Sequence, residues 1–166
     1  MKVRREKNKF SSWHFYNWTF LGWLETGVKV VALIIGIQTF YLSCVLQIWM
    51  IPSGIQLIQW IFLGILSLGI LAAIYNRLQN KEIISMIFVL FNNLGHWGMF
   101  LALTRNAGWA ILPIFSFLMM MGDLIKVIFL KQQHYTEKNI PSNIFIKLTI
   151  IFAVGYGIIG LLSWFN

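Results

Sequence analysis

Four ionisable side chains stand within stretches of the chain that are otherwise apolar. They are Glu25, Lys29, Asp123 and Lys126. A charge near the centre of a bilayer costs at least about 2.5 kcal/mol, so such groups normally face protein or water and have a partner. The first two are four residues apart and the last two are three apart, so each acid can pair with a base one helical turn away. Such a set could bind a proton, an ion or a zwitterionic ligand.

The depths of these groups also match between the two stretches. If the first helix runs outward and the fourth runs inward, Lys29 lies deeper than Glu25 by about 6 Å, and Asp123 deeper than Lys126 by about 4.5 Å. We therefore expect Asp123 to face Lys29 and Glu25 to face Lys126 in one charge cluster. In the functional interpretation Asp123, the deepest acid, is the group that titrates. The alternatives are that the cluster only fixes helix register, or that the lysines snorkel to the headgroups.

A second polar set lies in the third apolar stretch, where Asn92, Asn93 and His96 occur. Asn92 and His96 are one turn apart, and a rise of 1.5 Å per residue places them about 14 to 20 Å deep, near the bilayer midplane. Interhelical hydrogen bonds by Asn and His commonly hold membrane bundles together. The other interpretations are a ligand or proton pathway, or ligation of a tetrapyrrole pigment by His96. Because His14 and His134 are expected at the inner surface, a bis-His haem within one chain is not expected, and no cofactor is predicted.

The elements that must position these groups are transmembrane helices. The chain has 166 residues, 58% of them hydrophobic, and a bilayer crossing needs about 20 mostly apolar residues. The prediction is an all-α integral membrane bundle of one domain. Its five spans are expected at about Val28 to Met50, Ile55 to Tyr75, Ile83 to Leu103, Trp109 to Leu130 and Ile144 to Phe165. The sequence Pro52-Ser53-Gly54 predicts a tight turn between the first two.

Orientation follows from the Lys and Arg residues, which are enriched in cytoplasmic loops. With five spans, ten of the thirteen bases fall on one side and Arg105 alone on the other. The N-terminus is therefore predicted in the cytoplasm and the C-terminus outside, in a bacterial-type inner membrane. A four-span alternative breaks this agreement. The net charge of +8 is explained by topology and by attraction to anionic lipid headgroups, so no nucleic-acid partner is expected.

The N-terminal 24 residues combine basic and aromatic side chains and are predicted to form a retained interfacial helix ahead of the first span. Aromatic rings with polar edges favour the headgroup zone, and bases favour lipid phosphates. The expected lipid-interface residues are Arg4, Arg5, Trp13, Trp18 and Trp23. The alternative is an aromatic docking surface for a partner helix.

Several chemistries are not indicated. The single Cys44 permits no intramolecular disulfide and no cysteine-based metal site. The chain has no HExxH, GxSxG or CxxC motif and no phosphate-binding loop, so neither an enzyme nor a metal site is predicted. Small residues four apart, such as Gly98 and Ala102, favour close helix packing within the chain or in a homo-oligomer.

Two functional hypotheses follow. In the first, the protein binds or translocates a small molecule, lipid or ion through a polar intramembrane site. The candidate residues are Glu25, Lys29, Asn92, Asn93, His96, Asp123 and Lys126. In the second, the protein is a non-catalytic accessory or assembly subunit whose helices pack against larger membrane proteins, and the same polar groups hold helices together.

Overall fold

The computed structural model describes residues 19–46, 53–79, 83–105, 111–133 and 142–165. Each range forms essentially one α-helix, and in these ranges there is no strand, so the predicted all-helical class is confirmed there. In chain order the helices are α1 (Phe20–Leu46), α2 (Gly54–Gln79), α3 (Ile83–Arg105), α4 (Ile111–Gln133) and α5 (Ser142–Trp164).

The start of α1 differs from the prediction, because this helix begins at Phe20 rather than at Val28. Thr19 precedes it as a cap: the Gly22 N–H donates to the Thr19 hydroxyl at 3.5 Å, and the Trp23 N–H donates to the Thr19 carbonyl at 3.1 Å. The last residues of the predicted interfacial segment are thus the first turns of α1. The rest of that segment lies outside the described residues.

The start of α2 is set by a capping box rather than by a turn that includes Gly54. The Gln56 N–H donates to the Ser53 hydroxyl at 3.4 Å, and the Ser53 N–H donates to the Gln56 side-chain oxygen at 2.7 Å. This reciprocal pairing satisfies two backbone donors at the helix start, so the helix includes Gly54. At its other end α2 continues to Gln79, beyond the predicted Tyr75.

The five helices form a closed ring in the order α1, α4, α5, α2, α3. Neighbouring glycines give the helix directions: Gly95 lies against Leu33 and Gly98 against Gly36, so α3 runs parallel to α1. Between α2 and α5 the order is reversed, because Gly69 lies against Phe152 and Gly155 lies nearest Phe62. All five helices contribute to one buried core, made by Ala32, Leu63, Leu66, Met99, Leu112, Phe115, Met119, Tyr156 and Ile159.

The bundle carries apolar side chains outward and many polar side chains inward. Ile61, Ile65 and Leu68 of α2 are each more than half exposed, as are Val154 and Leu161 of α5. Buried polar residues are Gln56, Gln59, Ser67, Asn93, His96, Ser116, Asp123, Thr149 and Ser163. Four helices, α1, α2, α4 and α5, are long and apolar enough to cross a membrane. An apolar exterior of this extent suits lipid rather than water, which indicates a multi-pass membrane protein.

Candidate functional site

An ion pair joins α1 and α4 inside the bundle. The Lys29 ammonium donates to Asp123 Oδ1 at 2.5 Å and also lies 3.0 Å from Glu25 Oε1, one turn earlier on α1. The Lys29 side chain is 14% exposed and that of Asp123 is 6% exposed. The predicted contact between Lys29 and Asp123 is therefore confirmed. One ammonium bridges two carboxylates inside the bundle, which places a charged hydrogen-bonded centre in an apolar surrounding.

Gly122 makes room for this bridge. A β-carbon at Gly122 would lie 2.7 Å from Lys29 Cγ and 2.9 Å from its Cε, so the lysine stem runs directly over the glycine backbone. Because Cγ is near the root of the side chain, a larger residue at position 122 would push the ammonium away from Asp123. Gly122 was not predicted to contribute to the site, although a glycine beside a buried acid in mid-helix is a usable signal.

Lys126 completes a cluster that is formally neutral, with two acids and two bases. Its ammonium lies 4.8 Å from the centroid of the Phe145 ring of α5, a cation–π arrangement. Glu25 is near enough to interact with this ammonium electrostatically, but among the described residues the Glu25 carboxylate forms its ion pair with Lys29, so the expected direct pairing of Glu25 with Lys126 is not found. The cluster thus comprises Glu25, Lys29, Asp123 and Lys126, and we call it the charge cluster.

His96 lies on the side of the charge cluster towards the bundle centre and is 1% exposed. The Tyr156 hydroxyl of α5 is 2.8 Å from each ring nitrogen of His96 and pairs with one of them, as donor or acceptor according to the tautomer of the ring. The two rings are stacked, with centroids 5.6 Å apart, and Phe115 of α4 packs edge-on against both. His96 is also close enough to Lys29 to interact with its charge.

The neighbouring amides of α3 are arranged differently from the expectation. Asn93 is buried at 3% exposure, whereas Asn92, which was expected to share a face with His96, is only partly buried. The inward face of α3 therefore carries Asn93 and His96, three residues apart, because the helix is turned to bring its glycines against α1. Asn93 Oδ1 is buried without a hydrogen-bond partner among the described residues.

Further polar atoms lie in the interior towards the starts of α2 and α4. Gln59 is 0% exposed, and its amide group donates to the Ile159 carbonyl at 3.4 Å, while its Oε1 accepts nothing within the described ranges. Ser116 of α4 is equally buried and its hydroxyl is also unpaired there. Neither residue was predicted from the sequence, because single Gln and Ser residues hardly change the hydropathy of a span.

Tyr156→Phe should destabilise the bundle by about 1–3 kcal/mol, because it leaves a fully buried imidazole nitrogen without its partner. The measurement is the free energy of unfolding of the purified protein in mixed micelles. Thr149→Val is the matched control: it also removes one buried hydroxyl from α5, but the Thr149 hydroxyl donates at 2.9 Å to the Phe145 carbonyl of its own helix. Equal losses in the two variants would contradict the importance of the contact with His96.

Of the five predicted lipid-interface residues, the structure describes only one. Trp23 is exposed in the first turn of α1, and Arg4, Arg5, Trp13 and Trp18 lie outside the described residues. Across the part of the chain that the structure covers, no group of three or more His, Cys, Asp or Glu side chains is placed to hold a metal ion.

The fold and site together define a class: an α-helical, multi-pass membrane protein with a buried charge cluster and a buried histidine–tyrosine pair. Comparison of the chain with known protein families, with curated proteins and with solved structures finds no match.

Proposed function

We propose that this protein binds or translocates a small molecule, lipid or ion at its polar intramembrane site. The observation that supports this most is the position of the charge cluster, where Lys29 bridges Glu25 and Asp123 across α1 and α4 inside an apolar bundle. Ionisable groups at membrane depth are expensive to insert and commonly mark pathways for ions or protons. The nearby pair of His96 and Tyr156 extends this polarity towards the bundle centre.

We further propose five membrane spans with a cytoplasmic N-terminus in a bacterial-type inner membrane. The packing of α3 supports the fifth span, since α3 runs along α1 and also packs against α2. A helix between two spans shares their depth. The distribution of Lys and Arg supports the orientation. In this arrangement Arg4, Arg5, Trp13, Trp18 and Trp23 contact the inner headgroups.

The second proposal, an accessory subunit of a larger membrane complex, uses the same polar groups as interhelical glue. It is favoured by the mutual pairing of the ionisable residues, because a cluster whose charges already balance needs no ligand. The two proposals differ in whether the cluster responds to a solute.

The test combines two measurements. The first is native mass spectrometry of the protein extracted from its own membrane in mild detergent, and the second is the electrical current across proteoliposome membranes after a step in salt concentration or pH. We expect a small-molecule adduct or a solute-driven current that Asp123→Asn removes, while the folded amount stays measurable. The control is Thr149→Val. The Thr149 hydroxyl donates to a carbonyl of its own helix, and the residue lies outside the charge cluster.

An adduct or current that persists in Asp123→Asn would contradict the assignment of this site. Co-purification with larger membrane proteins, without adduct or current, would favour the accessory subunit instead. The absorption spectrum of the same fraction reports any bound pigment, which His96→Ala would release if His96 were its ligand.

A further inference from the structure

Five buried side-chain polar atoms have no hydrogen-bond partner among the described residues; two are Trp60 Nε1 and Ser67 Oγ, and the other three belong to the most deeply buried side chains of the set. These three are Gln59 Oε1 on α2, Asn93 Oδ1 on α3 and Ser116 Oγ on α4, in residues that are 0%, 3% and 0% exposed. Buried polar groups in folded proteins are almost always paired with protein or with ordered water. Three unpaired atoms on three helices of one bundle therefore indicate a hydrated interior rather than three separate defects.

These atoms and the ionisable groups follow one another along the bundle axis. Gly95, next to His96, lies against Leu33, and Leu33 is four residues, or about 6 Å, beyond Lys29 on α1. Gln59 donates to the Ile159 carbonyl, three residues or about 4.5 Å beyond Tyr156 on α5, and Ser116 lies beside Gly160. Three polar levels therefore follow one another along the axis, with about one helical turn between successive levels. They are the charge cluster, the His96–Tyr156 pair, and the level of Gln59 and Ser116, which we call the Gln59–Ser116 level.

From this order we propose that the solute handled by the intramembrane site is the proton, which moves between the charge cluster and the Gln59–Ser116 level through His96. The proposal rests on the proposed function and specifies its cargo. A metal cation does not suit the cluster, because the Lys29 ammonium already occupies the position between the two carboxylates. A proton needs no such space, since it can reside on a carboxylate, an imidazole or a water.

His96 is suited to the central step. A proton arriving on its unprotonated ring nitrogen forms the imidazolium, and release of the proton from the other nitrogen returns the neutral ring in its other tautomer. One proton has then moved, and the ring must return to its first tautomer before the next transfer. The Tyr156 hydroxyl, 2.8 Å from each ring nitrogen, pairs with one of them, donating to it when it is unprotonated and accepting from it when it is protonated, so the ring keeps this partner before and after the transfer. The charged groups facing this step are Lys29 and Glu25 from α1 and Asp123 and Lys126 from α4, whereas the described inward residues of α2 are uncharged.

The experiment uses the full chain in proteoliposomes that contain a pH-sensitive dye, with a potassium gradient and valinomycin as the driving force. We expect proton entry well above that of protein-free vesicles, and a loss of at least about 100-fold in His96→Gln, since a positioned proton-transfer group typically contributes about 10²–10⁴-fold to a rate. Gln59→Leu and Ser116→Ala should also reduce the flux although neither alters a charge. Thr149→Val should leave it unchanged.

To control for misfolding, only variants that elute in size-exclusion chromatography at the wild-type position are compared. If His96→Gln does not fold, Ser116→Ala, which deletes a single oxygen, replaces it as the test variant. Wild-type flux equal to that of empty vesicles, or unchanged flux in Ser116→Ala and His96→Gln, would overturn the proton as cargo. A current or adduct sensitive to Asp123→Asn without any change in internal pH would also refute the proton but leave the proposed site standing. Absence of flux, current and adduct together would refute both.

Discussion

Lys29→Leu alone is expected to destabilise the protein by about 3–5 kcal/mol, and the double change Lys29→Leu with Asp123→Leu is expected to cost much less. The single change leaves the carboxylate of Asp123, a residue only 4% exposed, without the ammonium that lies 2.5 Å from it. The double change removes both charges and places apolar side chains in their place. Asp123→Leu alone should be milder than Lys29→Leu, because Lys29 keeps Glu25 at 3.0 Å.

These variants are compared by unfolding titrations in mixed micelles, together with the amount of each protein recovered from the membrane. Lys147→Leu provides the control, since Lys147 is exposed on α5 and its loss should change stability by no more than about 0.5 kcal/mol. A double variant as unstable as Lys29→Leu would contradict the coupling between the two residues. That result would mean either that the two leucine side chains do not pack at these positions, or that loss of Lys29 destabilises the protein mainly through the unpaired Glu25 carboxylate and less through that of Asp123.

The pairing of Lys29 with Asp123 could be predicted because two physical constraints act together. Burying a charge in lipid is so costly that each ionisable group needs a partner. The fixed rise of a helix then limits the choice to groups at equal depth on antiparallel neighbours. The helices themselves were predictable for a related reason, since an apolar stretch near bilayer length has few alternatives to a helix.

The His96–Tyr156 contact could not be predicted in the same way. His96 was recognised as a buried polar group, but its partner lies 60 positions away on α5, and tyrosine carries no charge whose depth must be matched. Which ring reaches His96 depends on the order of helices around the bundle. The order of the helices cannot be predicted from their hydropathy, because every helix presents similar apolar faces to lipid and to its neighbours.

The contact between α1 and α3 was missed for a related reason. Gly98 was noted as part of a small-residue pair, but its partner in space is Gly36, with Gly95 beside it. A small residue permits close approach without showing which helix approaches. The start of α1 was also misplaced, because Glu25 and Gly27 interrupt the apolar pattern without ending the helix.

Gly98→Ala is expected to destabilise the protein by about 3 kcal/mol, the upper part of the range for overpacking a core. The added β-carbon would overlap the Gly36 carbonyl and the Phe40 amide nitrogen of α1. These are backbone atoms, which cannot rotate away as a side chain can, so α1 and α3 must separate. Since His96 is two residues before Gly98 on α3, the separation should also disturb its contact with Tyr156.

Gly64→Ala is the matched control, because a β-carbon there would lie 3.8 Å from Phe100 Cζ, an ordinary contact. That substitution should be neutral or stabilising by up to about 1 kcal/mol, since alanine favours a helix more than glycine does. Gly36→Ala should act like Gly98→Ala, and the two together should cost less than the sum of both, because one separation of the helices relieves both overlaps. Additive losses would show that the two glycines occupy independent contacts, and a harmless Gly98→Ala would contradict the close backbone approach of α1 and α3.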